Sequence, residues 1–111
     1  MALIVKSENP QFVLDNFRKK IEGGEIITWV IDEEGDLSIS NVRWIYKAWM
    51  RPKIEEGNLI FGYIASSKFG VTKGLYGIFH GRLATTLLAN FDELISSIEL
   101  EAQLNPKYDR F

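Results

Sequence analysis

Three features of the sequence predict an α+β fold: a mainly antiparallel sheet of about five strands, in the order β-α-β-β-β-β-α, with two helices packed on one face. The first is a stretch from Thr72 to Leu100 in which Tyr76, Phe79, His80, Leu83, Leu87, Phe91 and Ile98 recur on one side at helical spacing. An apolar stripe that long must be covered, so this C-terminal helix is the dominant element and the other elements pack beneath it. The second is a pair of turn signals, Glu33-Glu34-Gly35 and Glu55-Glu56-Gly57-Asn58, each set between runs of strand-like residues. The third is Asn9-Pro10 followed by Gly23-Gly24, which opens and closes a shorter helix.

Ala2 to Lys6 reads as a short first strand, buried on both faces. Asn9 caps the following helix, and Pro10 occupies its first position, where a missing N–H costs nothing. Val13, Leu14, Phe17 and Ile21 line its apolar side, while Arg18, Lys19 and Lys20 suit the negative end of its dipole. Glu25 to Asp32 carries apolar residues of both parities, which predicts a central strand. After the Glu33-Glu34-Gly35 turn, Leu37 and Ile39 alternate with polar neighbours in Asp36 to Ser40, as in a half-exposed strand.

Asn41 to Met50 fits two patterns. Val42, Ile45, Tyr46 and Trp49 have helical spacing, whereas Trp44, Tyr46, Ala48 and Met50 share one face of a strand. The aromatic content and Pro52 favour the strand, and a helical turn over 42–45 leading into a strand near Lys47 satisfies both patterns. Ala48 to Ile54 and Leu59 to Ala65 form the second hairpin, its first arm an edge or bulge because of Pro52, its second arm central. The tail after Leu104, with Pro106, Tyr108 and Phe111, either folds back on the body or hangs free.

The 111 residues, 46% hydrophobic and 25% charged, make a single domain, 1–111, able to bury a core without covalent staples. With no cysteine there are no disulfides or thiolate metal sites, and one histidine leaves a zinc site dependent on carboxylates. No motif calls for a cofactor, so none is expected. The apolar run Ala2 to Val5 is too short for a signal peptide and no window approaches a membrane span, which predicts a cytoplasmic protein. A net charge of −2 supplies no overall attraction for nucleic acid.

Four stretches carry candidate chemistry. Ser66 to Gly74 has the layout of an anion cradle, a strand followed by small residues, two lysines and a helix start. Ser67, Lys68 and Lys73 are the candidate ligands there, although turn residues of this kind also make ordinary connections. His80 falls in the apolar stripe near Gly74, Gly77 and Gly81, which leaves room for a small pocket beside the ring with Tyr76, Tyr63 or Asp32 as a partner. The alternative is a core histidine bonded to the main chain. Arg43, Lys47, Trp49, Arg51 and Lys53 share one face if extended, as in a platform for single-stranded nucleic acid or a partner, or as on a solvated edge strand. Asp32-Glu33-Glu34-Gly35-Asp36 lacks the glycine and closing glutamate of a calcium loop and reads as a hairpin tip. Leu75, Ile78 and Leu100 fall on the polar side of the long helix and, with the Tyr108 to Phe111 tail, offer a self-association surface.

The function expected is that of a small binding or accessory module acting through a protein partner, self-association or a ligand rather than through catalysis. One alternative is a small enzyme or binding protein for a phosphorylated or nucleotide-like anion, using Ser67, Lys68, Lys73, Tyr76 and His80. The other is single-stranded nucleic acid binding through Arg43 to Lys53.

Overall fold

A computed structural model describes residues 1–110. The chain forms β1 (Leu3–Lys6), α1 (Pro10–Glu22), β2 (Trp29–Ile31), β3 (Leu37–Ile39), β4 (Ala48–Glu55), β5 (Asn58–Ala65), α2 (Lys73–Phe91) and β6 (Ser97–Leu100). The strands make one antiparallel sheet in the order β2-β3-β4-β5-β1-β6. Phe17 of α1 meets Phe61 at 6.4 Å and Phe79 of α2 meets Tyr63 at 6.4 Å. Phe61 and Tyr63 lie two apart on β5, so both helices cover the same face of the sheet. Leu3, Val5, Met50 and Leu59 of the sheet and Leu83 of α2 complete the core between them. The α+β class, the antiparallel sheet and the dominance of the C-terminal helix are as expected; a sixth strand is added.

That strand shortens the long helix. α2 stops at Phe91, a 3-10 turn spans Asp92–Leu94, and the chain reverses into β6. The Ile95-Ser96-Ser97-Ile98 run is weak in helix propensity, and the spacing of Ile98 and Leu100 fits a strand as well as it fits the end of a stripe. Without β6, one side of β1 would be an open edge. The pairing Leu3↔Leu100 and Val5↔Ile98 closes it, helped by the Ser96 N–H and hydroxyl donating to the Lys6 carbonyl at 2.8 and 2.9 Å.

The α1 boundaries match the sequence. The Asn9 side chain accepts from the Phe12 N–H at 3.1 Å, and Gly24, at φ 78°, turns the chain away after Glu22. Glu25 to Asp32 departs from expectation, because only Trp29–Ile31 is strand and β2 lies at the sheet edge. The Glu25 and Ile26 N–H groups both donate to the Lys20 carbonyl, which folds Ile26 under α1 and leaves Ile27 76% exposed. The mixed parity of the apolar residues therefore records a change of chain direction, not burial on two faces.

Asn41 to Lys47 is a set of turns, with Trp44 and Ile45 N–H groups donating to the Asn41 carbonyl, and β4 begins at Ala48. β3 pairs with β4 at Leu37↔Met50 only, so Pro52 sits where β4 has become an edge. β5 is central, between β4 and β1.

The tail folds back over the bare face of the sheet. Arg110 exchanges main-chain hydrogen bonds with Tyr63 and Ala65 at 2.9 and 2.7 Å, extending the sheet beside β5 beyond the end of β1. The buried Asp109 carboxylate accepts from the Tyr63 and Asn105 N–H groups, both at 2.8 Å, and lies 3.3 Å from the Met1 ammonium. Tyr108 donates its hydroxyl to Glu55 at 3.2 Å, and Lys107, bonded to the same carboxylate, holds Glu55 below its usual pKa. Phe111 lies outside the described residues. Among the described residues no helix is long and apolar enough to cross a membrane.

Candidate functional site

His80 is a core residue. The residue is 4% exposed, its ring stacked against Tyr63 at 6.0 Å and edge-on to Tyr76 at 5.7 Å. Nδ1 lies 2.7 Å from the Tyr76 carbonyl oxygen and Nε2 meets the Met1 carbonyl oxygen, so both nitrogens are committed to the main chain. Gly74, Gly77 and Gly81 do not frame a pocket beside it, since a Cβ at any of them would meet open space. The expected ligand set of Ser67, Lys68, Lys73, Tyr76 and His80 therefore does not assemble: Tyr76 and His80 belong to the core, whereas Ser67, Lys68 and Lys73 are exposed. The cause is helix periodicity, which puts Tyr76 and His80, one turn apart, on the side facing the sheet and leaves Lys73 on the exposed side, with Ser67 and Lys68 in the loop before the helix.

Burial under α2 pushes the Tyr63 phenol up to about 12 from its ordinary 10.0. Between those values the folded protein binds more protons than the unfolded chain, so this contribution is complete below pH 10 and is lost as pH rises through 12. Wild-type protein is expected to lose roughly 2–3 kcal/mol across that window from this group. Tyr63→Phe removes that component, and urea unfolding at a series of alkaline pH values measures the difference.

The expected platform of Arg43, Lys47, Trp49, Arg51 and Lys53 divides in two. Trp49, Arg51 and Lys53 alternate on the bare face of β4, as predicted, but carboxylates neutralise the cations. Asp36, only 3% exposed, takes Arg51 in a two-pronged pair at 2.9 and 2.8 Å, which raises the guanidinium pKa, and Glu34 adds a contact at 3.3 Å. Lys53 pairs with Glu55 at 3.5 Å. Each cation of this face thus has a carboxylate partner. Arg43 and Lys47 lie apart from it in the Asn41–Lys47 turns, against the Trp44 ring at 5.0 and 5.8 Å.

The tail covers one part of the bare face. Another part forms a cleft of about 600 Å³ lined by Ile31, Tyr46, Trp49, Arg51 and Ile64 together with Asp32, Glu33, Glu34 and Asp36. Each wall has a local cause. The Asp32 carboxylate accepts from the Glu34 and Asp36 N–H groups at 2.9 Å, which closes the acidic turn. Tyr46 is held at φ 58°, a left-handed conformation unusual for a tyrosine, because its N–H donates at 3.0 Å to the buried Ser38 hydroxyl, itself bonded to the Ala48 carbonyl. That geometry sets Tyr46 nearly parallel to Trp49, with centroids 6.3 Å apart and planes 22° apart. Sequence reasoning treated the acidic turn and Trp49 separately. The signal that joins them is the parity of Asp36 and Arg51 on neighbouring strands, which is usable only once the register is known.

Comparison with protein-family models, with curated proteins and with solved structures finds no match for this chain.

Proposed function

We propose that the protein is a binding module that docks a basic segment of a partner protein in the cleft over β2, β3 and β4. The observation that carries this reading is a cleft in which the Tyr46–Trp49 pair shares the lining with the four carboxylates of the 32–36 turn and a single guanidinium. Aromatic faces attract lysine and arginine side chains, and the surplus carboxylates steer a cationic segment toward them. Asp36 takes Arg51 in the two-pronged pair and the exposed Glu34 adds a longer contact to it, which leaves Glu33, and Glu34 where a cation competes with Arg51, at the rim as the groups to engage the partner's cations. Catalysis has no support at this cleft, because the groups that line it form no pair of nucleophile and positioned base.

The test is titration of the isotopically labelled protein with a short arginine- and lysine-containing peptide, followed by amide chemical shifts. Perturbations are expected at Tyr46, Trp49, Glu34 and Ile64. Trp49→Ala is expected to weaken binding by roughly 30-fold, the effect of a central aromatic anchor worth about 2 kcal/mol. Perturbations spread evenly over the acidic surface, or affinity unchanged in Trp49→Ala, would remove the proposal.

A further inference from the structure

A second cleft shares the Asn41–Lys47 turn with the acidic one and has the opposite character. Trp44, Phe69, Leu75 and Ile78 form its walls, Lys47, Thr72 and Gly74 its polar edge, and it encloses about 340 Å³. Leu75, expected on the exposed side of α2, is instead buried here at 7% exposure. Lys47 lines the cleft, Arg43 and Lys68 sit on its Trp44 and Phe69 rings, and Lys73 lies in the chain between its lining residues Thr72 and Gly74. Arg43, Lys47, Lys68 and Lys73 form no ion pair among the described residues. The segments that supply them, 37–54 and 57–91, contain no aspartate or glutamate at all.

Three of these cations, Arg43, Lys47 and Lys68, rest on rings instead. Lys47 Nζ lies 5.8 Å from the Trp44 centroid and 5.1 Å from that of Phe69, while Arg43 is 5.0 Å from Trp44 and Lys68 is 5.5 Å from Phe69. A ring face is a weak partner for an ammonium beside a phosphate, which forms a charge-assisted hydrogen bond with it. Ammonium groups drawn onto a phosphate release the Phe69 face, already 44% exposed, for stacking. A cleft of this size, with apolar aromatic walls and a cationic rim, matches a phosphate joined to a flat ring.

We infer that this cleft binds a nucleotide unit, its phosphate held by Lys47, Lys68 and Lys73 and its base laid against Phe69 and Trp44. The site is separate from the acidic cleft, so either can fail without the other. A free mononucleotide and an unpaired nucleic acid strand present the same chemistry, and the experiment distinguishes them.

The intact protein is titrated calorimetrically with adenosine monophosphate, with a short oligothymidylate and with inorganic phosphate at low salt. The nucleotide or the strand is expected to bind at least about tenfold more tightly than phosphate alone, since stacking adds to the anion contacts. Binding of adenosine monophosphate identifies a free nucleotide as the ligand. Binding confined to the strand, with a logarithmic salt slope of about −0.7 per phosphate engaged, identifies single-stranded nucleic acid. Lys47→Ala combined with Lys68→Ala is expected to weaken binding by about tenfold or more. Lys73 forms no ion pair or ring contact among the described residues, so Lys73→Ala weakens binding without changing the melting curve, and Arg82→Ala, a cation further along α2, changes neither. No binding of nucleotide or strand at low salt overturns the inference. So does phosphate alone binding as tightly, or affinity that survives the loss of Lys47, Lys68 and Lys73.

Discussion

Gly62→Ala is expected to destabilise the protein by about 3 kcal/mol, the upper end of what one forced methyl costs in a packed site. A Cβ at Gly62 would stand 2.1 Å from the Tyr108 carbonyl oxygen and 2.7 Å from its carbon. Both contacts are main chain, so no side-chain rotation relieves them. Either β5 shifts within the sheet or the tail lifts from its face. For a domain of this size the midpoint of thermal unfolding is expected to fall by roughly 10–15 °C. Amide hydrogen exchange separates the two routes, because the Tyr63 and Ala65 N–H groups are held by Asp109 and Arg110 of the tail. Fast exchange confined to those two amides means the tail has let go. Wild-type melting with both amides protected would show that the tail does not pass over Gly62.

Asp109→Ala is expected to cost roughly 3 kcal/mol. Its carboxylate, with a side chain 0% exposed, is the acceptor for two main-chain N–H groups and stands against the Met1 ammonium. Removing it leaves the Tyr63 N–H buried without its acceptor and leaves a cation facing an apolar gap, and an unmade buried bond costs more than a made one contributes. Asp109→Asn keeps one acceptor oxygen and is expected to fall between the alanine variant and wild type. Urea unfolding should rank the three proteins in that order. An alanine variant within about 0.5 kcal/mol of wild type would mean that Asp109 behaves as a surface residue.

Both effects sit at a junction that no local pattern announces. Gly62 lies in the middle of an apolar strand and has no turn to make; its lack of a side chain matters only because Tyr108, 46 positions later, crosses it. Asp109 reads as a polar residue in a tail, yet it is among the most buried charged groups in the protein. The opposite holds for α1, where Asn9, Pro10 and the glycine pair state both ends in the sequence itself, because capping is a matter of the nearest few residues. The Glu55 to Asn58 hairpin is equally legible. Its two central residues, Glu56 and Gly57, both take positive φ, at 53° and 79°, as the two-residue turn requires.

The candidate sites show the same division. The cationic and aromatic residues of 43–53 stand out in the sequence, and the alternation of Trp49, Arg51 and Lys53 is right. Their electrostatic character is not legible there, because Asp36 and Glu34 reach Arg51 from a neighbouring strand. Lys47 and Lys68 meet at Phe69 although 21 positions separate them. One signal was available: the absence of acids over 37–54 and 57–91 marks a positive region that the net charge of −2 conceals.

The sequence by itself determined the α+β class, the caps of the shorter helix, both hairpin turns and the placement of His80 on the buried side of α2, since each depends on periodicity or on turn chemistry within a few residues. Only the tertiary structure decided that residues 97–100 become a strand, that Trp29–Ile31 is an edge, that the tail closes over Gly62, and which charges neutralise one another. Those outcomes depend on which main-chain groups would otherwise stay unpaired and which strands become neighbours, and pairing between distant segments leaves no periodic mark in the sequence.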